Sequence, residues 1–206
     1  MEIDGIEIIW LGHASFKIKE KCVIYIDPYA GIYDEKADII LVTHDHFDHL
    51  NVDKIKEIKK NDTIIIVPEK GAEKLEGYIR TVRVNDRFET KGVGIEVVPA
   101  YNIGKSYHPK GFGVGYIVEV SGVRIYHAGD TDFIPEMKKL KADVALLPVG
   151  GTYTMDVREA VEATLAIRPK IVIPMHYGFL PGLEANVKEF EQLVKEKDPN
   201  IEVKFK

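Results

Sequence analysis

Residues 39–49, which read IILVTHDHFDH, constrain the fold of this chain more than any other stretch. Five apolar or β-branched residues, Ile39 to Thr43, predict a buried strand. Three histidines and two aspartates follow within the next six positions. Ionisable side chains packed this densely at the end of a buried strand would stay uncompensated unless a cation lay between them. The sequence therefore predicts a strand that ends in a metal site.

The spacing within this cluster fits metal coordination. His44 and His46 are two residues apart, so their side chains point to the same side of an extended chain. Asp48 and His49 lie where a helix-like run begins, so the turn can direct all four side chains into one volume. Imidazole nitrogens and carboxylate oxygens are ligands for zinc, manganese and iron. A polar surface loop is the alternative, and it would suit an isolated H-x-H better than the full H-x-H-x-D-H.

The segment from Thr43 to His49 resembles the T-H-x-H-x-D-H signature of the metallo-β-lactamase superfamily. Residues 12–15 (GHAS) and 148–155 resemble one branch of it, the ascorbate-6-phosphate lactonase-like and UPF0173-like metal-dependent hydrolases. The resemblance extends over nearly the whole chain. It implies a single domain over residues 1–206 in the α/β (α+β) class. That domain would be a four-layer αβ/βα sandwich with its metal site at the edge between two sheets.

The resemblance also implies further ligands, each of which follows a predicted strand. Asp130 lies in a glycine turn and matches the carboxylate that bridges two metals, with a turn or capping role as the alternative. His176 matches the family's last histidine, a ligand of the second metal, with a buried core histidine as the alternative. The implied cofactor is a pair of zinc ions, with manganese or iron as alternatives. The implied ligands are His44, His46, Asp48, His49, Asp130 and His176.

The chain departs from the family pattern at Asn102, where many relatives have a histidine ligand. An amide oxygen is a weak ligand for zinc, so we expect the first metal to be held less tightly. His108 lies six residues further, in a polar loop. We expect it to replace the missing histidine as a ligand or to act as a catalytic acid, whereas a solvated loop histidine is the alternative. Asp48 is also expected to be catalytic, either accepting a proton or orienting the attacking water.

Three polar residues are candidates for supporting the ligands or contacting the substrate. His13, in the GHAS segment, is expected near the site in either role. Asp27, directly before a proline, is expected to orient a histidine ligand. Asn102 belongs to the same group if it binds no metal. Two other residues are expected outside the site: His127 should pack within its strand, and Asp45 should point away or form a local hydrogen bond.

The pattern of elements changes along the chain. Strand-like segments dominate the first two-thirds, and strand–helix units dominate the last third. Residues 23–27 (VIYID) weakly resemble residues 124–130 (RIYHAGD), but no regular repeat is present. A capping box at Asp156 and Glu159 predicts one helix that ends at Ile167. The other helices are predicted over residues 51–60, 69–75, 134–140 and 183–197.

Composition narrows the class of protein. Hydrophobic residues make up 45% of the chain and no apolar run is long enough to cross a membrane, which predicts a globular protein with no membrane span. Cys22 is the single cysteine and the N-terminus does not resemble a signal peptide, so we expect a cytoplasmic location. A net charge of −5 argues against a general nucleic-acid partner. The content of Lys and Glu favours a thermophilic source.

These observations predict a hydrolase in which two metals activate water for attack on an ester, lactone or phosphodiester of a small molecule. Oxygen-reducing relatives have glutamate in place of His46, and glyoxalase-type thioesterases add a helical domain that this chain lacks room for. Exported β-lactamases need a signal peptide. Two alternatives stay open: a metal-binding or sensing protein without turnover, and a nuclease-type phosphodiesterase. The sequence leaves the substrate, the metal and any oligomer undetermined.

Overall fold

Two seven-stranded sheets face each other in the computed structural model, which describes residues 1–205. The first sheet contains β1 to β7 in chain order: β1 (Glu2–Ile3), β2 (Ile6–Gly12), β3 (Ser15–Lys19), β4 (Val23–Ile26), β5 (Ala37–Leu41), β6 (Lys59–Pro68) and β7 (Tyr78–Val82). The second contains β8 to β14, also in chain order: β8 (Arg87–Thr90), β9 (Val93–Ala100), β10 (Gly113–Val120), β11 (Val123–His127), β12 (Val144–Pro148), β13 (Ile171–Met175) and β14 (Glu202–Val203).

The two sheets share one topology. In each, the first four strands pair antiparallel and the last four pair parallel. The weak sequence similarity between residues 23–27 and 124–130 falls on β4 and β11, the fourth strand of each sheet. Because the carboxyl ends of parallel strands meet at one edge of a sheet, both sheets present loops there that can carry functional side chains.

Within residues 1–205, four α-helices and one 3₁₀ helix connect the strands. The α-helices are α1 (Val52–Ile58), α2 (Glu69–Ala72), α3 (Val157–Ile167) and α4 (Val187–Lys197), and the 3₁₀ helix spans Pro135–Lys139. The side chain of Asn51 caps α1, and the predicted capping box of Asp156 and Glu159 is present at the start of α3. No helix within residues 1–205 is long and apolar enough to cross a membrane.

Alternation along β5 shows how the layers form. Ile39 and Leu41 belong to the core between the sheets, whereas Ile40 contributes to a second core under α1. Ile55 of α1 is buried in that outer core. In the second sheet every residue of β12 and β13 is buried, so both faces are covered, and the larger cluster continues from between the sheets to Phe190 of α4. Helices therefore cover both outer faces, and the predicted four-layer sandwich is confirmed.

Several predicted helix limits were wrong. The helix expected over residues 134–140 is a five-residue 3₁₀ helix, because so short a segment cannot offset the cost of starting an α-helix. The helix expected from residue 183 begins at Val187, where the side chain of Asn186 caps it. The helix expected over residues 69–75 has four residues. The helix expected over residues 51–60 ends at Ile58, where β6 begins.

Candidate metal centre

Five loops at the edge between the sheets bring the polar side chains together. Three follow parallel strands: the loop after β5 carries residues 44–49, the loop after β11 carries Asp130, and His176 directly follows β13. The β2–β3 turn adds His13, and the loop after β9 adds His108. All five segments are distant in sequence, so the site exists only in the folded chain. Gly150 allows the loop after β12 to pass close to His176, because a Cβ there would collide with the carbonyl oxygen of His176.

Three histidines form one potential ligand group. Nε2 of His44 lies 3.1 Å from Nδ1 of His46, and Nε2 of His108 lies 3.2 Å from the same nitrogen. Their ligand atoms all fall within 4.8 Å of one another, close enough to hold a single cation. The structure thus brings His108 together with His44 and His46, and its role as a ligand stays a prediction.

A second potential ligand group contains His13, Asp48, His49 and His176, again within 4.8 Å. The Oδ2 atom of Asp48 is 2.9 Å from Nε2 of His13, 3.8 Å from Nε2 of His49 and 3.9 Å from Nε2 of His176. The sequence prediction located His13 near the site without including it among the ligands. The GHAS segment indicated that His13 lies near the site. Its contact with Asp48 depends on how the β2–β3 turn packs against the loop after β5.

Asp130 lies between the two groups. One of its oxygens, Oδ2, is 3.3 Å from Nε2 of His108 and 3.0 Å from Nε2 of His176. The other, Oδ1, is 3.3 Å from Nε2 of His49. A carboxylate in this position could contact cations bound to either group, which is the arrangement expected for the predicted bridging role.

Asp27 orients His49 by binding Nδ1, the ring nitrogen on the side away from Asp130. Its Oδ2 accepts a hydrogen bond from Nδ1 of His49 at 2.7 Å, and both side chains are fully buried. The same carboxylate accepts hydrogen bonds from the backbone N–H of Thr43 at 2.7 Å and from its hydroxyl at 2.6 Å. With Nδ1 of His49 as the donor, the neutral ring carries its lone pair on Nε2, which lies 3.3 Å from Oδ1 of Asp130.

Asn102 has a similar relation to His108. Its Oδ1 accepts from the backbone N–H of His108 at 2.9 Å and from the Nδ1 atom of the ring at 3.1 Å. Its amide NH₂ donates to Asp132 at 3.0 Å and to the carbonyl of Tyr153 at 2.9 Å, which fixes which atom is oxygen. Asn102 therefore directs Nε2 of His108 into the cluster and does not face it itself.

His127 and Asp45 make their contacts outside the two ligand groups. His127 is buried; its Nε2 donates to the carbonyl of Ala14 at 2.9 Å, and its Nδ1 accepts from the N–H of Gly129 at 3.2 Å. Asp45 accepts from Nζ of Lys74 at 2.9 Å. Both ring nitrogens of His127 are therefore paired outside the cluster, and Asp45 is engaged by Lys74.

The electrostatics of the cluster suit a bound cation. Burial lowers the pKa of His49, but the carboxylates of Asp130 and Asp27 outweigh it and raise this pKa well above its ordinary value. Burial raises the pKa of Asp130, yet the nearby His176 and His49 hold it well below its usual range. For Asp48, burial is likewise outweighed, first by the hydrogen bond from His13, and the pKa falls to about 2. Without a metal these carboxylates favour a second proton on the His49 ring, at Nε2, and a metal would displace it.

Buried polar atoms that lack a hydrogen-bond partner show whether these residues fit a bound metal. Nε2 of His49, Oδ1 of Asp130 and Nε2 of His176 are buried and make no well-aligned hydrogen bond among the described residues, although both nitrogens lie 3.0–3.3 Å from an oxygen of Asp130. Buried polar groups in native proteins are nearly always paired, so three such atoms facing one volume need another partner. Nitrogen and carboxylate oxygen are the donor set of zinc and similar divalent ions. The residues present fit the metals that the sequence predicts, although each residue's role as a ligand stays a prediction.

Comparison with known proteins places these features in a family. A family model described as a β-lactamase superfamily domain matches residues 7–176. A UPF0173 metal-dependent hydrolase of Archaeoglobus fulgidus is 36% identical over 218 residues, covering 96% of this chain and 94% of the relative. The crystal structure of a Parabacteroides distasonis protein has a TM-score of 0.87 at 38% identity, covering 97% of this chain and 91% of the other. A metallo hydrolase of Ignicoccus hospitalis has a TM-score of 0.82 at 28% identity, covering 98% and 94%.

Proposed function

The chain belongs to the metallo-β-lactamase superfamily, within its UPF0173 group of metal-dependent hydrolases, and we propose that it hydrolyses an ester, lactone or phosphodiester of a small molecule at a dinuclear centre. The observation that carries this proposal is the pair of ligand groups joined by Asp130. Two adjoining cation sites with a shared carboxylate are typical of two-metal hydrolases.

The proposed ligands divide between the two sites. His44, His46 and His108 would hold one cation, and Asp48, His49 and His176 would hold the other, with Asp130 in contact with both. The His/Asp donor set favours zinc, and manganese or iron are compatible alternatives. Bound there, the metals would supply Lewis acidity, which lowers the pKa of water and stabilises negative charge on the reacting oxygen.

The roles of His108 and Asp48 follow from their neighbours. Asn102 uses the Nδ1 proton of His108, so the remaining nitrogen faces His46 and Asp130 as a lone-pair donor. This favours a ligand over a catalytic acid. Asp48 lines an open cleft, where its carboxylate can orient the attacking water or accept its proton. The hydrogen bond from His13 fixes the direction of that carboxylate.

Replacing Asp48 tests the proposal. Asp48→Asn keeps the size of the side chain and its contact with His13 but removes the proton acceptor. We expect it to retain much of its metal and to lose at least about 100-fold in kcat. Metal content by elemental analysis and turnover of a panel of ester, lactone, phosphodiester and thioester substrates measure the two effects. Unchanged turnover would remove Asp48 from the reaction, and fully metallated wild-type protein that hydrolyses none of the panel would favour a binding or sensing role.

A further inference from the structure

The cleft above the metal centre has an apolar wall. It has a volume of about 410 Å³, within the range of small-molecule sites. Five polar residues form its floor, all of them proposed metal ligands: His46, Asp48, His108, Asp130 and His176. The other residues that line it are Phe47, Tyr107, Tyr153, Leu180 and Pro181. Among the residues that the structure describes, no lysine or arginine lines this cleft.

Exposed aromatic side chains concentrate on the loops around it. Phe47 is 67% exposed, and Tyr107 and Phe179 are each 48% exposed. The ring of Tyr107 packs edge-on against Tyr153 at 4.7 Å between centroids, which forms one side of the wall. Folded proteins rarely expose clustered large apolar side chains unless these contact a ligand or partner.

The two lysines on the loop that carries Tyr107 are already engaged and do not line the cleft. In the loop that carries Tyr107, Nζ of Lys105 donates to Oδ1 of Asp132 at 2.8 Å and to the carbonyl of Thr154 at 2.7 Å. Lys110 of the same loop pairs with Glu136 at 3.3 Å. Neither is free to bind a phosphate or carboxylate group in the cleft.

The glycine pair after β12 offers no anion site either. The N–H of Gly151 donates to the carbonyl of Met155 at 2.9 Å, and that of Thr152 donates to the carbonyl of Gly150 at 3.0 Å. These are the amides that a phosphate-binding nest would need. A terminal anion on the substrate would therefore lie against aromatic and aliphatic groups without a protein partner, which is unfavourable.

We infer that the substrate is an ester or lactone whose remaining part is uncharged and apolar and packs against the wall formed by Phe47, Tyr107, Tyr153, Leu180 and Pro181. This inference rests on the proposed hydrolase function. It selects against phosphorylated sugars and lactones, since recognition of a distal phosphate normally uses arginine, lysine or a helix N-terminus.

A matched set of p-nitrophenyl esters tests the inference. We would compare the acetate, the hexanoate, and a hexanoate with a terminal phosphate. Burying a methylene is worth roughly a fourfold gain in affinity. Even with partial burial, kcat/KM should therefore be at least about tenfold higher for the hexanoate than for the acetate. The terminal phosphate should lower kcat/KM by at least about 100-fold.

One substitution in the wall should reverse the preference. Leu180→Arg introduces a cation into the cleft without altering a proposed ligand, so kcat/KM should fall for the hexanoate and rise for the phosphorylated ester. Ile32→Arg is the matched control, because Ile32 is 86% exposed and does not line the cleft. It should behave as wild type with both esters. Metal content should be the same in all three proteins.

Binding separates this inference from the proposed function. The uncharged ketone in which a methylene replaces the leaving-group oxygen of the hexanoate cannot be hydrolysed, and calorimetry measures its affinity for metal-loaded protein. Weaker ketone binding to Leu180→Arg than to Ile32→Arg supports the apolar wall even if no ester is hydrolysed. Absence of hydrolysis would contradict only the proposed function. A preference of the wild type for the phosphorylated ester, or equal ketone affinity in both variants, overturns the inference.

Discussion

Asp27 offers the sharpest test of how the metal centre is built, because it touches a proposed ligand without being one. Its buried carboxylate accepts three hydrogen bonds, two from Thr43 and one from Nδ1 of His49. Its backbone φ is 46°, in the left-handed region that asparagine adopts more readily than most residues. Asp27→Asn therefore preserves the shape and backbone of the site and changes only what the side chain can accept.

The expected effect follows from the hydrogen bonds. The amide oxygen must still face the N–H of Thr43, so the NH₂ group faces Nδ1 of His49. Two donors cannot face each other, and the ring of His49 must move its proton to Nε2, the atom directed at Asp130. A protonated Nε2 does not bind metal. Loss of such an orienting partner usually lowers metal affinity about 10- to 100-fold, or roughly 1.4–2.8 kcal/mol.

Zinc titration against a competing chromophoric chelator measures this change. Asp45→Asn is the control, since it removes the same charge from a carboxylate that points away toward Lys74. We expect its zinc affinity to stay within about twofold of wild type, because an exposed ion pair contributes little. If the Asp27→Asn protein is folded and binds zinc as tightly as this control, Asp27 does not set the tautomer of His49 and the reasoning is refuted.

Two further predictions concern the fold. Tyr116→Phe removes a buried hydrogen bond of 2.8 Å from the hydroxyl of Tyr116 to the carbonyl of Val42, and should lower the free energy of unfolding by about 1–2 kcal/mol in denaturant titration; an unchanged midpoint would contradict it. Lys17 is 2% exposed; its Nζ donates to Asp34 at 2.7 Å and lies 2.6 Å from Glu35. These contacts lower the pKa of Asp34 from its ordinary value of 3.8 and the pKa of Glu35 from its ordinary value of 4.5. Lowered carboxylate pKa values stabilise the fold above those ordinary values, so the stability difference between wild type and Lys17→Met should shrink as pH falls below 4.5; a difference independent of pH would refute the pairing.

Local sequence patterns predicted much of the fold. Strand periodicity, capping residues and the density of ligands in residues 44–49 are all short-range features, and a single loop brings those six residues together. The capping box at Asp156 predicted the start of α3 because side chain and backbone are three residues apart. The family resemblance supplied the long-range step, which was the expectation that Asp130 and His176 meet that loop.

What the sequence could not provide was the partner of each supporting side chain. His13 and Asp48 are 35 residues apart, and their 2.9 Å contact depends on the approach of two separate loops. Asn102 was predicted from its position in the family pattern, either as a poor ligand or as a supporting group. Only the structure shows its amide oxygen accepting from the backbone N–H and the ring of His108, so Asn102 holds the residue that is expected to replace the missing histidine. Such pairings depend on tertiary packing, which no local periodicity contains.

Backbone conformation links these observations. His13, Asp27 and His176 have φ values of 51°, 46° and 58°, and each lies at the end or turn of a strand. This left-handed conformation costs a residue with a side chain roughly 1–2 kcal/mol, and glycine would adopt it more readily. Glycine would supply no imidazole or carboxylate, however, and each of these reversals turns a side chain back toward the metal centre. Five further non-glycine residues among those described adopt this conformation away from the cluster, so strain alone does not mark the site. What distinguishes these three is that their side chains contact the ligand groups, and that the His176 N–H donates to the His13 carbonyl at 2.9 Å and holds two of them together.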